Sequence, residues 1–133
     1  MSLKLDIVTP EKKVFSETVE DVYLPTQFGE TGILSGHTAL VVPLTPGILK
    51  YKINDNYTSF AIGDGFIEAS DTSVTVLTDV CLTPAEVDLE AVTKQLADNT
   101  KRLEQLNVMT DAKEIAELEL QNSKLLAQKS IKG

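Results

Sequence analysis

Thr83-Pro84-Ala85-Glu86 divides this sequence into two parts of different character, and the fold is read outward from it in both directions. Thr83 supplies a capping side chain. Pro84 suits the first helical position, where its missing N–H would have no partner anyway, and Glu86 can close a capping box. A helix is therefore predicted to start here. Downstream, Leu89, Val92, Leu96, Leu103 and Leu106 recur at helical spacings and form a narrow apolar stripe, suited to packing against one other helix. Asn107-Val108-Met109-Thr110 breaks the stripe. Asp111 and Glu114 then offer a second capping pair, and Ile115, Leu118 and Leu125 carry a matching stripe. Each helix would be roughly 30–35 Å long at about 1.5 Å per residue, and so short a connection favours an antiparallel hairpin.

Upstream of Thr83 the pattern is short, β-branched and alternating. Leu3-Lys4-Leu5-Asp6-Ile7 has the period of two expected of a strand with one buried face. Thr18–Leu24 is rich in strand formers. Leu49-Lys50-Tyr51-Lys52-Ile53 alternates, Asn54-Asp55-Asn56 supplies turn chemistry, and Tyr57–Ile62 follows, so 48–62 is predicted to be a hairpin. Gly63-Asp64-Gly65 and Ser70-Asp71-Thr72-Ser73 punctuate two further strands, Phe66–Ala69 and Val74–Thr78. All five prolines fall within the first 84 residues. The predicted fold is a β-sandwich or flattened barrel over residues 1–83, followed by an antiparallel α-helical hairpin over 84–133.

Composition narrows the function. The chain has 133 residues, enough for one domain with an added element, and no apolar run approaches a membrane span. The opening Met1-Ser2-Leu3-Lys4 has no charged-then-apolar export pattern. A net charge of −8, with a single arginine (Arg102) and no tryptophan, argues against nucleic acid and anionic lipid as partners. The lone Cys81 excludes an internal disulfide and reads as a small buried hydrophobe. His37 is the only histidine, too few for a zinc site, and Ser35 beside it lacks a nucleophile elbow. No cofactor or metal is expected. In the last helix the acids come first and Lys124, Lys129 and Lys132 come last, an order that complements the helix dipole. An interaction module is favoured over an enzyme. The alternative is a small hydrolase or carbohydrate-binding sandwich using Ser35, His37 or exposed tyrosines.

The stretch Gly29-Glu30-Thr31-Gly32-Ile33-Leu34-Ser35-Gly36-His37-Thr38-Ala39-Leu40 resembles the most distinctive motif of the epsilon subunit of F-type ATP synthases, called delta in mitochondria. The resemblance extends through Leu5-Asp6-Ile7-Val8-Thr9-Pro10, Pro46-Gly47-Ile48-Leu49, Gly65-Phe66-Ile67-Glu68 and Val74-Thr75-Val76-Leu77. Thr31 and Ser35 depart from it, standing where the family usually has an apolar residue and a proline. The resemblance implies a non-catalytic rotor subunit of the central stalk, bound to the gamma subunit and to the c ring. Glu30 and His37 would face the ring from the foot of the sandwich. The C-terminal helices would either fold on the sandwich or extend towards the catalytic alpha and beta subunits, with Lys124, Lys129 and Lys132 meeting acidic surface there. The implied location is peripheral, on the cytoplasmic face of a bacterial inner membrane or on a plastid thylakoid membrane. Some bacterial members bind ATP through an Ile/Leu-Asp-x-x-Arg-Ala motif. Here the matching stretch is Val87-Asp88-Leu89-Glu90-Ala91-Val92, which keeps Asp88 as a remnant of the motif but has Ala91 in place of the arginine, so ATP is expected to bind weakly, through lysines as point charges, or not at all.

Overall fold

The alternating segments pair into a single hydrogen-bonded sheet that closes over its own apolar face. The computed structural model describes residues 2–34, 36 and 39–132. Ten strands run β1 Leu3–Val8, β2 Lys13–Val19, β3 Asp21–Thr26, β4 Gly29–Leu34, β5 Leu40–Leu44, β6 Gly47–Ile53, β7 Asn56–Ile62, β8 Gly65–Ala69, β9 Ser73–Thr78 and β10 Cys81–Leu82. Their order in the sheet is β10-β7-β6-β3-β5-β8-β9-β1-β2, with β4 off this path and paired along the whole of β3. The link between β3 and β5 is the single pair Thr26–Leu44, and the sheet folds there into two layers. One layer holds β4, β3, β6, β7 and β10, and the other holds β5, β8, β9, β1 and β2. All pairings are antiparallel except β1 with β9, which is parallel.

The core between the layers follows the alternation. Leu3, Leu5 and Ile7 of β1, Val22 and Leu24 of β3, Leu49 of β6, Ile67 of β8, and Val74 and Val76 of β9 are fully buried. Phe15 of β2 packs at a tilt against Tyr51 of β6 with ring centroids 4.7 Å apart, and meets Phe60 of β7 edge-on at 5.6 Å. These contacts bring the far end of the sheet over β6 and β7. Every residue of this core cluster lies between Leu3 and Cys81. The hairpin predicted over 48–62 is present: β6 and β7 pair from Gly47–Ile62 to Ile53–Asn56. Asn54 and Asp55 both take positive φ (51° and 62°), the geometry of a two-residue turn whose twist matches that of its strands.

Three elements differ from the sequence reading. Thr18–Leu24 is split between β2 and β3, because the chain reverses at Glu20. The Gly29–Leu34 stretch, which the sequence reading assigns to no strand, is strand β4. Thr83 does not open the long helix. It leads only a single 3-10 turn, Pro84–Glu86, in which the Glu86 carboxylate accepts the Thr83 N–H at 3.0 Å. Val87 is then extended and buried, which pulls the chain out of the helix. Asp88 restarts it: its Oδ1 accepts the Ala91 N–H at 3.1 Å and caps α1, Leu89–Glu104. At 1.5 Å per residue, α1 is only about 24 Å long. After it, α2 spans Ala112–Lys132.

The two helices form the expected antiparallel pair, but their seam is partly polar. Val92 is buried, and Leu96, Leu103, Ile115, Leu118 and Leu125 are half-buried. Between them sits Asn99, only 3% exposed, whose Nδ2 donates to Gln121 Oε1 at 3.0 Å and to Asn122 Oδ1 at 2.8 Å. Its own carbonyl accepts from Gln95 Nε2 at 2.8 Å. Nearer the tip, Arg102 grips Glu114 with two hydrogen bonds, Nη2 to Oε1 at 3.1 Å and Nε to Oε2. The hairpin packs on the sandwich through α2, which lies against β6, β7 and the 3-10 turn.

Candidate functional site

Because β-strand side chains alternate, each sandwich layer has an outer face, and the two outer faces differ. On the layer opposite the helices, the register places Pro43 beside Phe66, Phe66 beside Leu77, and Leu77 beside Val8. These four residues form one apolar row across β5, β8, β9 and β1. Phe66 is 53% exposed and Leu77 is 40% exposed, and Val41, next along β5, is 67% exposed. Scattered exposed apolar residues are ordinary on a protein surface, whereas these are contiguous and aligned by the register, with an aromatic at their centre. The sequence held a signal for it: in Gly65-Phe66-Ile67-Glu68-Ala69 the inward positions are Ile67 and Ala69, which leaves Phe66 facing out. Gly65 is required beside it. Its φ is +157°, and a Cβ there would lie 1.8 Å from the Leu77 carbonyl oxygen.

The β3–β4 hairpin carries the first of the expected contact residues. Thr26 fixes the turn, its Oγ1 donating to the Gly29 carbonyl at 3.0 Å and accepting the Phe28 N–H at 3.2 Å. Phe28 projects from the tip, 84% exposed. Glu30 follows on β4, opposite Pro25, with its carboxylate 3.3 Å from Lys50 Nζ. Glu30 is thus an exposed strand residue with a cationic neighbour, not a loop carboxylate. His37 and Ser35 lie outside the described residues.

The lysines of α2 are far from equivalent. Lys124 is clamped, its Nζ 2.8 Å from Asp64 Oδ1 in the β7–β8 turn and hydrogen-bonded to Asp79 Oδ2 in the β9–β10 turn. Its side chain is only 21% exposed. Hydrogen bonding from Lys124 holds the Asp64 carboxyl below its usual range. Burial opposes the Lys124 charge, but the bonds to Asp64 and Asp79 outweigh it and raise the ammonium pKa. Lys132 donates to the Pro84 carbonyl at 3.1 Å, and Lys129 is exposed. The sequence reading names Lys124 as a contact to acidic partner surface and not as an internal ion pair, and it misses both aspartates: Asp64 lies in a turn that reads only as punctuation, and Asp79 is not singled out.

The groups considered for chemistry are accounted for differently. Burial pushes the Cys81 thiol up to about 12, with the Glu86 charge adding to the effect, so it is a packed apolar group and not a nucleophile. Asp88 serves as a helix cap. Arg102, the single arginine, is engaged by Glu114. Among the described residues no cluster of three or more potential metal ligands occurs, and no helix is long and apolar enough to cross a membrane.

An exposed apolar row centred on Phe66, a β3–β4 hairpin presenting Phe28 and Glu30, and a helical hairpin tied to the sandwich through Lys124 are the surface features of this β-sandwich chain. Residues 2–84 match the family model described as the ATP synthase, Delta/Epsilon chain, beta-sandwich domain. The chain therefore belongs to the ATP synthase epsilon chain family. It is 38% identical over 106 residues to the ATP synthase epsilon chain of Anaeromyxobacter sp. (strain K), covering 80% of each chain. It is 36% identical over 101 residues to that of Hydrogenobaculum sp. (strain Y04AAS1), covering 76% of this chain and 74% of the relative. Among solved structures it is similar in fold to a chain of the Euglena gracilis mitochondrial ATP synthase OSCP/F1/c-ring, with a TM-score of 0.77 at 22% identity, covering 98% of this chain and 78% of that one. A second likeness is to a chain of the Tetrahymena thermophila mitochondrial ATP synthase central stalk/c-ring, with a TM-score of 0.67 at 16% identity, covering 100% and 98%. The family match displaces the hydrolase and carbohydrate-binding alternative.

Proposed function

We propose that this chain is a non-catalytic rotor subunit of an ATP synthase central stalk, held to gamma by the row Pro43–Phe66–Leu77–Val8 and to the c ring by the β3–β4 turn. The exposed apolar row carries the reading, because the other sandwich layer is partly covered by the chain's own hairpin while this one is bare. A module that transmits torque needs a contact that does not yield, and a row anchored on four hydrogen-bonded strands meets that need. At the foot, exposed Phe28 and Glu30 supply an apolar and an anionic contact to polar ring loops, with His37 nearby in sequence. The subunit would sit peripherally, on the cytoplasmic face of a bacterial inner membrane or on a plastid thylakoid membrane. Its work is to couple proton-driven rotation to ATP synthesis. When the hairpin extends, Lys124, Lys129 and Lys132 would meet acidic surface on the alpha and beta subunits and slow ATP hydrolysis. ATP binding is not part of this reading, since Ala91 replaces the family arginine and Arg102 is paired with Glu114.

The test is co-purification with gamma. Phe66→Asp should keep the melting temperature, since an exposed substitution changes stability by about 0.5 kcal/mol or less, and should abolish recovery of gamma. Full recovery of gamma by Phe66→Asp would move the docking face elsewhere.

A further inference from the structure

The two sandwich layers are joined directly only by the pair Thr26–Leu44, and beside that pair lies a cavity of about 130 Å³. Fully buried Ile33 of β4 and Ile67 of β8 form its floor, half-buried Leu40 and Val42 of β5 its wall, and exposed Gln27 and Phe28 its rim. No charged side chain lines it, although the chain carries a net charge of −8. Its two hydroxyls are spent within the β3–β4 hairpin. Thr26 Oγ1 donates to the Gly29 carbonyl and lies 3.2 Å from Thr31 Oγ1, which donates to it. The buried polar atoms that lack a partner among the described residues belong to Asp6, Asp21 and Asp64, and none of these lines the cavity. A buried water needs about two to four polar partners, and this cavity has none to spare. Apolar cavities of about 150 Å³ stay dry and take up benzene or xenon.

We infer that this cavity is a binding site for one small uncharged molecule, a single aromatic ring or a branched hydrocarbon of about six heavy atoms. Volume, lining and hydrogen bonding all select that class. The space admits one ring and excludes fused or longer ligands. The lining offers dispersion contacts and no counter-charge, so a carboxylate or ammonium would lose its hydration without compensation. With both threonine hydroxyls engaged, a polar substituent finds a partner only at the rim, where Gln27 meets solvent. The competing occupant is Phe28, but its side chain is 84% exposed and stands outside. A bound guest touches β4 in one layer and β5 and β8 in the other, so it ties the layers where a single residue pair joins them. The site is a property of this chain alone and does not depend on the assembly proposed above.

Titrating benzene into the methyl-labelled full-length chain, followed by nuclear magnetic resonance, tests it. Benzene should give saturable shifts at the methyls of Ile33, Leu40, Val42 and Ile67, with Overhauser contacts from its ring protons to Ile33 and Ile67. Benzoate, the same ring with a charge, should give none of these at equal concentration. Val42→Phe fills the space and should weaken benzene binding about tenfold or more, whereas Phe28→Ala should change it by less than about threefold. Shifts that rise linearly without saturating, or contacts to other methyls, would overturn the site on the native chain alone, whether or not Val42→Phe folds. Equal binding of benzoate, or undiminished binding by a folded Val42→Phe chain, would do the same. A tenfold gain in Phe28→Ala would also overturn it, since the cavity would then be the seat of the chain's own ring.

Discussion

Asn99 stands seven residues after Val92 and three after Leu96, squarely in the stripe that reads as apolar, and it is the most buried residue of α1. A buried carboxamide is tolerable only with partners, and Gln95, Gln121 and Asn122 provide them. Asn99→Ala should lower the stability of the helical pair by about 1–2 kcal/mol, read as an earlier loss of helical circular dichroism while the strand signal holds. A smaller effect is expected in the β6–β7 turn. Asp55 takes φ of 62°, which costs a non-glycine residue about 1 kcal/mol, so Asp55→Gly should leave the denaturation midpoint unchanged or raise it slightly. At Asp64 the pH dependence has a definite sign. Lys124 depresses its carboxyl pKa in the folded chain, so its contribution is complete above the ordinary value of 3.8 and drains away as pH falls through the lower folded value. Acid titration should therefore show a steeper loss of stability below about pH 4 in the native chain than in Asp64→Asn, with Asp79 and Lys124 intact in both.

Among the elements, those whose burial is one-sided were legible in the sequence. The alternation in Leu3–Ile7 and Leu49–Ile53 gave strands with the observed inward residues, and Asn54-Asp55 gave the turn between β6 and β7. The failures share a cause: tertiary contact overrode local chemistry. Gly29-Glu30-Thr31-Gly32 has poor strand propensity, yet β4 forms because all of β3 lies beside it, from Asp21–Leu34 to Thr26–Gly29. Thr83-Pro84 is a sound helix opening, but burying Val87 breaks the helix and hands the cap to Asp88. The docking row was not legible, since it needs the register of four strands, and neither was the Lys124 contact, which needs two distant turns. Confinement of the core cluster to residues between Leu3 and Cys81 carries a further expectation. Residues 1–83 alone should give a cooperative thermal transition, and a molten fragment would show that α2 belongs to the core.

At the scale of the whole molecule, the apolar row and the Lys124 contact adjoin at one end of the sandwich, where Val8, Leu77, Asp64 and Asp79 line one depression. Phe66 does not line that depression, so Phe66→Asp should cost assembly and leave the Lys124 contact in place. Glu30→Ala, which also frees Lys50, should keep the melting temperature and reduce proton pumping coupled to ATP hydrolysis in the assembled enzyme. The parallel pairing of β1 with β9 has a consequence of another kind. Lys4 is aligned with Ser73 and Val8 with Leu77, strands about 70 residues apart in sequence. During synthesis the first strand must therefore wait, exposed on one edge, until almost the entire sandwich has left the ribosome. Folding of the nascent chain should be a late, abrupt event, complete only when β9 emerges, and the helices that follow would be made on a platform already closed.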